Sequence, residues 1–350
     1  IQKKKNKMSK TYIYGYSRTP IGSFQGQLKT VPASKLGSIV VKSVLEKSGI
    51  DKNQIDEVIM GNVLSAGVGQ APARQASIYA GLSYSTRCMT INKVCGSGLK
   101  AVMLADQSIK QGDSSVIIAG GMENMSLAPH YVQNSRSGLS FGDTKLKDTI
   151  LTDGLWDPYN NMAMGQCAEV LVEEEKITRA EQDAFAIESY KRSNEAIKKG
   201  YFKNEIVQVQ VQTRKGPIII DTDEEPLRFN EKKIKELKPV FKNKGSITAG
   251  NASSINDGAA AVLIASDSVE AKEHPKAKII AHASFAMDPI YFTKAPIFAI
   301  KKVLKKADLS IDAIDLFEIN EAFSCVSLAA MKAFNIPSDR INIYGGAVSL

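Results

Sequence analysis

Ile91-Asn92-Lys93-Val94-Cys95-Gly96-Ser97-Gly98-Leu99 joins a β-rich run to a helix through a turn of small residues. Beyond the turn, Leu99–Ile109 keeps helical apolar spacing, and Val116-Ile117-Ile118-Ala119 reads as a buried strand. Upstream, Thr11–Tyr16 and Val58–Met60 read as strands. Ala33–Ser48 reads as an amphipathic helix with Leu36, Ile39, Val40 and Val44 on one face. This alternation predicts an α/β domain whose helices cover a largely parallel sheet.

An internal echo extends the pattern. Val44-Leu45-Glu46-Lys47 is followed by Ile55-Asp56, and Val303-Leu304-Lys305-Lys306 by Ile314-Asp315, at one offset (303 − 44 = 314 − 55 = 259). So wide a repeat points to a duplicated half rather than a solenoid. Between the halves, Gly121 to about Thr248 differs in texture, beginning with Gly120-Gly121-Met122-Glu123-Asn124-Met125-Ser126. Within it Arg179–Lys199 reads as a polar helix, with Thr178 as its N-cap and Glu181 in its first turn. Long insertions between repeated halves are natural places for a substrate-binding cover.

The 350 residues carry a net charge of +8 with scattered lysines, which fits a phosphorylated small molecule and gives no basic stripe for nucleic acid. Apolar runs such as Pro217-Ile218-Ile219-Ile220 are strand-length, far short of a membrane span. Cys88, Cys95, Cys167 and Cys325 form no CxxC pair, which argues against a disulfide framework or a zinc site and for a reducing compartment. Ile1–Lys10 is lysine-rich and acid-free and reads as a disordered lead-in, with Met8 as an internal start. The chain stops on the apolar run Ala347-Val348-Ser349-Leu350, which reads as a cut rather than a natural terminus.

A thiol at the start of a helix faces unpaired N–H groups and the positive end of the dipole, both of which favour the nucleophilic thiolate. Cys95 fits that description, as would a buried structural cysteine. A cysteine nucleophile needs a base. His130 reads as lying in a turn, His274 in an exposed loop and His282 in an Ala-rich strand, and none is convincing. The base is either not a histidine or lies beyond residue 350. Glu318-Ile319-Asn320-Glu321-Ala322-Phe323 follows a strand and opens a helix, so Asn320 could offer its amide to an oxyanion and Glu321 a carboxylate to water or a neighbouring group. An Asn cap with Glu in the first turn has the same pattern. Gly250-Asn251-Ala252-Ser253-Ser254-Ile255-Asn256-Asp257-Gly258-Ala259-Ala260 is a small-residue turn entering an apolar strand.

Together, the blocks around Cys95, Gly120–Ser126, Gly250–Ala260 and Asn320–Phe323 resemble the thiolase family from about Tyr12 to Leu350. Arg18–Phe24, Gly69–Gln75 and Asn342–Leu350 look closest to its potassium-responsive, mitochondrial acetoacetyl-CoA branch. The resemblance implies an α/β fold of thiolase-like duplicated halves in a layered αβαβα core with an inserted loop domain. It implies an N-terminal half at 11–120 plus 249–268, a CoA-binding insert at 121–248 and an incomplete C-terminal half at 269–350. The implied reaction takes two acetyl-CoA to acetoacetyl-CoA and coenzyme A through acetyl-Cys95, or runs in reverse, with no tightly bound cofactor. It places the chain in fatty-acid and ketone-body chemistry, as a dimer or tetramer, in the mitochondrial matrix or else the cytoplasm.

Residue by residue, Asn320 matches the holder of a water in one oxyanion hole, and the Cys95 N–H contributes to the other. Met164, Phe241 and Phe323 match the lining of the acyl and pantetheine pocket. Leu155, Arg228, Lys233 and Ser253 match coenzyme A contacts. Tyr190, with the carbonyls of Ala249, Gly250, Ala252 and Val348, matches a potassium site. Two departures stand out. The family continues with a Gly-His-Pro turn and a second catalytic cysteine, so these 350 residues alone are expected to be nearly inactive. Ala163 stands where short-chain members carry His, which raises a longer-chain 3-ketoacyl-CoA thiolase as an alternative. A non-catalytic acyl-CoA-binding homologue is another.

Overall fold

In the computed structural model, residues 9–350 are described, so Ile1–Met8 of the expected Ile1–Lys10 lead-in lie outside the described residues. The described chain divides into two compact units, one of residues 9–149, 204–222 and 256–280, the other of 150–203, 223–255 and 281–350.

The first unit is built on one seven-stranded sheet. Its main strands are β1 (Thr11–Arg18), β2 (Glu57–Gly61), β3 (Arg87–Ile91), β4 (Val116–Asn124) and β5 (Asn256–Ser266). Across the sheet they run β1-β5-β4-β2-β3, with Ala277–Lys278 beside β1 at one edge and Gly22–Ser23 paired to β5. The β2 strand is parallel to both β3 and β4, but β5 is antiparallel to β1 and β4. The expectation of a largely parallel sheet is therefore corrected to a mixed one. The cause is topological: β5 enters beside the end at which β4 leaves, with Asp257 opposite Asn124, so no crossover turns the chain around.

Helices α1 (Ala33–Ser48), α2 (Pro72–Tyr79) and α3 (Ser97–Gln111) cover this sheet. Leu36, Val40, Val41 and Val44 of α1 are fully buried against β5, β4 and α2, each contributing ~1.5–3 kcal/mol. Gly49 ends α1 with φ 66° and Gly112 ends α3 with φ 86°, the left-handed C-caps that glycine supplies without strain. His130 begins a two-stranded ribbon (His130–Val132 with Leu146–Asp148) rather than lying in a turn.

The second unit is mostly helical: α4 (Met164–Glu175), α5 (Arg179–Lys199), α6 (Glu231–Glu236), α7 (Ala295–Ala307) and α8 (Ser324–Phe334). A capping box starts α5 as its sequence predicts, with Thr178 accepting from Glu181 N–H and the Glu181 carboxylate accepting from Thr178 N–H. Leu171, Ile247, Ile297, Ile319, Phe323 and Ile341 form its main core. The 259-residue echo recurs as structure. In the first unit α1 leads through a 3₁₀ turn at Lys52–Gln54 to β2, and here α7 leads through one at Ile311–Ala313 to the extended residue Phe317, bridged to Ile341. The Ala-rich segment containing His282 carries no strand, because sheet pairing stops at Lys278. Among the described residues no helix is long and apolar enough to cross a membrane.

Candidate active site

Cys95 sits just ahead of α3, whose N-cap is Gly96. Its turn is closed by two side chains. Asn92 Oδ1 accepts from Val94 N–H at 2.9 Å, while Ser97 Oγ accepts from Lys93 N–H at 2.8 Å and donates to the Val94 carbonyl at 2.6 Å. Val94 is thereby held at φ 47°, a conformation that a β-branched residue adopts only when its surroundings over-determine it. The turn rests on the carboxyl ends of parallel strands, where open α/β sheets place their ligands. Gly61, the last residue of β2, makes room: a Cβ there would stand 2.5 Å from Ser97 Cβ.

The Cys95 residue is exposed to solvent, yet the protein around it pushes the thiol pKa up by desolvation, and its own backbone N–H pulls weakly the other way. Loss of hydration outweighs the stabilisation expected from the helix start.

A half-buried carboxylate supports the turn from behind. Glu123, in the Gly120–Ser126 block, accepts from Val63 N–H at 2.7 Å, Asn62 Nδ2 at 2.8 Å and Leu64 N–H at 3.2 Å. Asn62 N–H in turn donates to the Ile91 carbonyl, and Val63 accepts from Asn92 Nδ2 at 3.4 Å. Burial pushes the Glu123 carboxyl up, opposed by these donors. Neither Ser97 nor Glu123 received a role from the sequence. Their signal was present only as membership of a motif.

The other candidates lie in the second unit. The Gly250–Ser253 and Asn320–Phe323 blocks pair directly: Ala252 bridges Phe323, Ser253 N–H donates to the Ala322 carbonyl at 3.0 Å and Ser324 N–H to that of Asn251 at 2.9 Å. Asn251 is buried and donates to Asp183 Oδ1 at 2.9 Å, fastening the same turn to α5. Asn320 is exposed. The block does not open a helix at Asn320, since α8 begins at Ser324. Of the two partners expected for the Glu321 carboxylate, the structure supplies the neighbouring groups. Glu321 is fully buried, accepting from Asn342 Nδ2 and Ser189 Oγ at 2.8 Å and from Val348 N–H at 3.1 Å, and burial raises its pKa. Asn342, like Ser97 and Glu123, is a residue whose role the sequence did not reveal.

Met164, Phe241 and Phe323 come together: Phe241 and Phe323 meet edge to face at 6.2 Å, and Met164 packs on the same cluster. The Phe241 ring lies flat on Gly165, where no side chain would fit. Leu155 is half-buried at the end of a π-helical turn, Ile150–Leu155, and Ala163 precedes α4, pairing with Trp156. Arg228 is 54% exposed and forks onto Glu224 at 2.6 Å and Glu225 at 3.3 Å. Lys233 is exposed, and among the described residues its ammonium makes no ion pair. Tyr190 stacks on Phe229 and shares a buried cluster with Val348 and Ile234, against which Gly250 lies, whereas Ala249 is exposed and Ala252 packs in the main core. Burial first, then Glu225, pushes the Tyr190 phenol up to about 12. Among the described residues no group of three His, Cys, Asp or Glu could hold a metal ion.

Comparison with known proteins agrees with this architecture. Residues 11–268 match the family described as thiolase, N-terminal domain, and residues 273–350 thiolase, C-terminal domain. The chain belongs to the thiolase family. It is 52% identical over 347 residues to an acetyl-CoA acetyltransferase of Yarrowia lipolytica, covering 98% of this chain and 86% of that one. The structure matches Acat5 thiolase from Ascaris suum in complex with coenzyme A (TM-score 0.93, 42% identity, 97% of this chain and 88% of that one). It also matches human mitochondrial 3-ketoacyl-CoA thiolase (TM-score 0.93, 36% identity, 98% and 88%).

Proposed function

We propose that this protein is an acyltransferase that condenses two acetyl-CoA to acetoacetyl-CoA and coenzyme A, and runs the reverse thiolysis. The observation that carries the reading is the Cys95 turn, an exposed thiol held at a helix start by Asn92 and Ser97 in a chain half identical to an acetyl-CoA acetyltransferase. The Cys95 thiolate attacks the thioester carbonyl, the C–S bond breaks, and coenzyme A leaves as a thiolate that takes up a proton. A second acetyl-CoA loses a proton from its methyl carbon, and that carbanion attacks acetyl-Cys95, releasing the thiolate. Because desolvation by the surrounding protein raises the Cys95 thiol, a base must accept its proton during the first attack.

Asn320, exposed beside a fixed backbone, orders a water at the developing oxyanion, and the Cys95 N–H faces the other oxyanion. The cluster of Met164, Phe241 and Phe323 lines the acyl and pantetheine path, and Leu155 and Ser253 contact coenzyme A. Arg228 and Lys233 meet the coenzyme A phosphates. Among the described residues Lys233 makes no ion pair, whereas Arg228 must loosen its hold on Glu224 and Glu225. The oxygens of Tyr190, Ala249, Gly250, Ala252 and Val348 form a donor set suited to potassium, supported by the shared packing of Tyr190, Val348 and Gly250. We assign residues 11–120 with 249–268, 121–248 and 269–350 to the first half, the insert and the second half. The mitochondrial matrix is the compartment, in keeping with the mitochondrial thiolase among the structural matches. A homo-oligomer is supported by exposed Met89 on the edge strand β3 and by exposed Leu99.

Incubation of the native protein with acetyl-CoA should add one acetyl group to Cys95, and Cys95→Ala should gain none. Absence of the adduct overturns the enzymatic reading in favour of a binding protein. Thiolysis should favour acetoacetyl-CoA over a C8 ketoacyl-CoA. The reverse preference would establish the longer-chain alternative that Ala163 suggests.

A further inference from the structure

The two neighbours of Asn320 are held by one side chain. Asn342 Nδ2 donates to the Ile319 carbonyl at 2.9 Å and to Glu321 Oε1 at 2.8 Å, and its Oδ1 accepts from Ile319 N–H at 2.9 Å. The arrangement follows from the backbone. A short parallel ladder joins Phe317 to Ile341, with Phe317 N–H on the Arg340 carbonyl at 2.7 Å and Asn342 N–H on the Phe317 carbonyl at 2.9 Å. At Asn342 the chain turns left-handed, φ 44°, and Gly345 N–H closes back onto the Asn342 carbonyl. The turn takes the second backbone away one step too early, leaving both polar groups of buried Ile319 without a strand to pair with.

The Asn342 amide replaces that missing step. Each buried group it satisfies would otherwise bear the full cost of lost hydration. Asparagine suits the position for two reasons. It carries a donor and an acceptor on one short arm, and it tolerates positive φ better than most residues. Aspartate would turn acceptors toward the Ile319 carbonyl and Glu321, and glutamine is a methylene too long. The other Glu321 oxygen is taken by Ser189 Oγ and Val348 N–H, so the residue after Asn320 is pinned as firmly as the one before.

We propose that Asn342 is a positioning residue for Asn320, fixing the backbone on both sides so that the exposed amide is pre-aimed at its oxyanion water. The inference rests on the role given to Asn320 above. Asn342 itself touches no substrate.

The test uses Asn342→Gly, since glycine keeps the left-handed turn while losing the amide. In the native protein, Asn320→Ala should lower kcat for acetoacetyl-CoA thiolysis by ~10²-fold. Asn342→Gly should lower it by ~10–100-fold with KM little changed. The double variant should be no slower than Asn320→Ala by more than about threefold, because the second change acts only through the first. Hydrogen exchange in the peptide 317–323 should quicken in Asn342→Gly. Losses that multiply in the double variant, an unchanged kcat in Asn342→Gly, or unchanged exchange would each overturn the proposal. If Asn320→Ala itself leaves kcat unchanged, the role of Asn320 fails and the positioning role falls with it. Faster exchange in Asn342→Gly would then trace the failure to Asn320 rather than to the clamp.

Discussion

Replacing Gly61 with alanine should slow acetylation of Cys95 far more than it lowers stability. The added Cβ would stand 2.5 Å from Ser97 Cβ, 3.1 Å from the Ser97 carbonyl carbon and 3.2 Å from Gly98 N. Carbon atoms in contact rest at ~3.5–4.0 Å, so roughly 1 Å must open. β2 cannot yield, because Gly61 pairs with Ile91 on one side and Gly121 on the other. The start of α3 moves instead, carrying the Ser97 hydroxyl that holds Lys93 N–H and the Val94 carbonyl. Overpacking of this kind costs ~1–3 kcal/mol, whereas a displacement of about 1 Å at a reacting group costs ~10²-fold in rate. The assay is timed mass spectrometry of the acetyl adduct, alongside thermal unfolding. Ile264→Val, in the same core and worth ~0.5–1.5 kcal/mol, is the control and should acetylate normally. Acetylation of Gly61→Ala within about threefold of the parent would refute the reasoning, since the strain would then be absorbed without moving the nucleophile.

Ser97→Ala should destabilise the protein by ~0.5–1.5 kcal/mol for each hydrogen bond it removes, to Lys93 N–H and to the Val94 carbonyl, and should relax Val94 toward negative φ, read as slower acetylation of Cys95. Alkylation of Cys95 by iodoacetamide should climb with pH through a midpoint above the ordinary thiol value of 9.0, because desolvation by the surrounding protein favours the neutral thiol; a midpoint below it would contradict that balance. Glu321 has a folded pKa above its ordinary 4.5, so the folded state holds the proton longer. Its contribution to stability is full below 4.5 and is lost as pH rises through the folded value, so the gap between the urea midpoints of the parent and Glu321→Gln should change as pH rises above 4.5, and parallel curves would count against it. Arg228→Ala should raise KM for coenzyme A several-fold with kcat unchanged. It should shift stability by at most ~1 kcal/mol, since its ion pairs are half exposed.

What could be read from the sequence was whatever depends on near neighbours. α1 and the Thr178–Glu181 box are local arrangements, and both lie where spacing and capping chemistry put them. The direction of β5 is not local, because it depends on which end of the sheet the chain re-enters after a long excursion. The Ala-rich segment at His282 has strand-like composition but no neighbouring backbone to pair with, so composition misled. Glu321 looked like a first-turn helix residue because its actual partners, Ser189, Asn342 and Val348, are far away in sequence. Cys95 was recognisable from its glycines, but nothing about a valine announces the left-handed backbone beside it.

The central place of β5 bears on how the protein is made. β1 and β4 are complete by residue 124, yet the strand that fills the gap between them begins only at residue 256. At ~5–20 residues per second a ribosome needs roughly 7–26 s to deliver it. Throughout that interval β1 and β4 each present an unpaired edge, and Val116–Ala119 has no cover on the side β5 will occupy. A nascent chain of this design should therefore depend on chaperone shielding most strongly between those two points of synthesis, and slower translation through 125–255 should lengthen its exposure to mispairing.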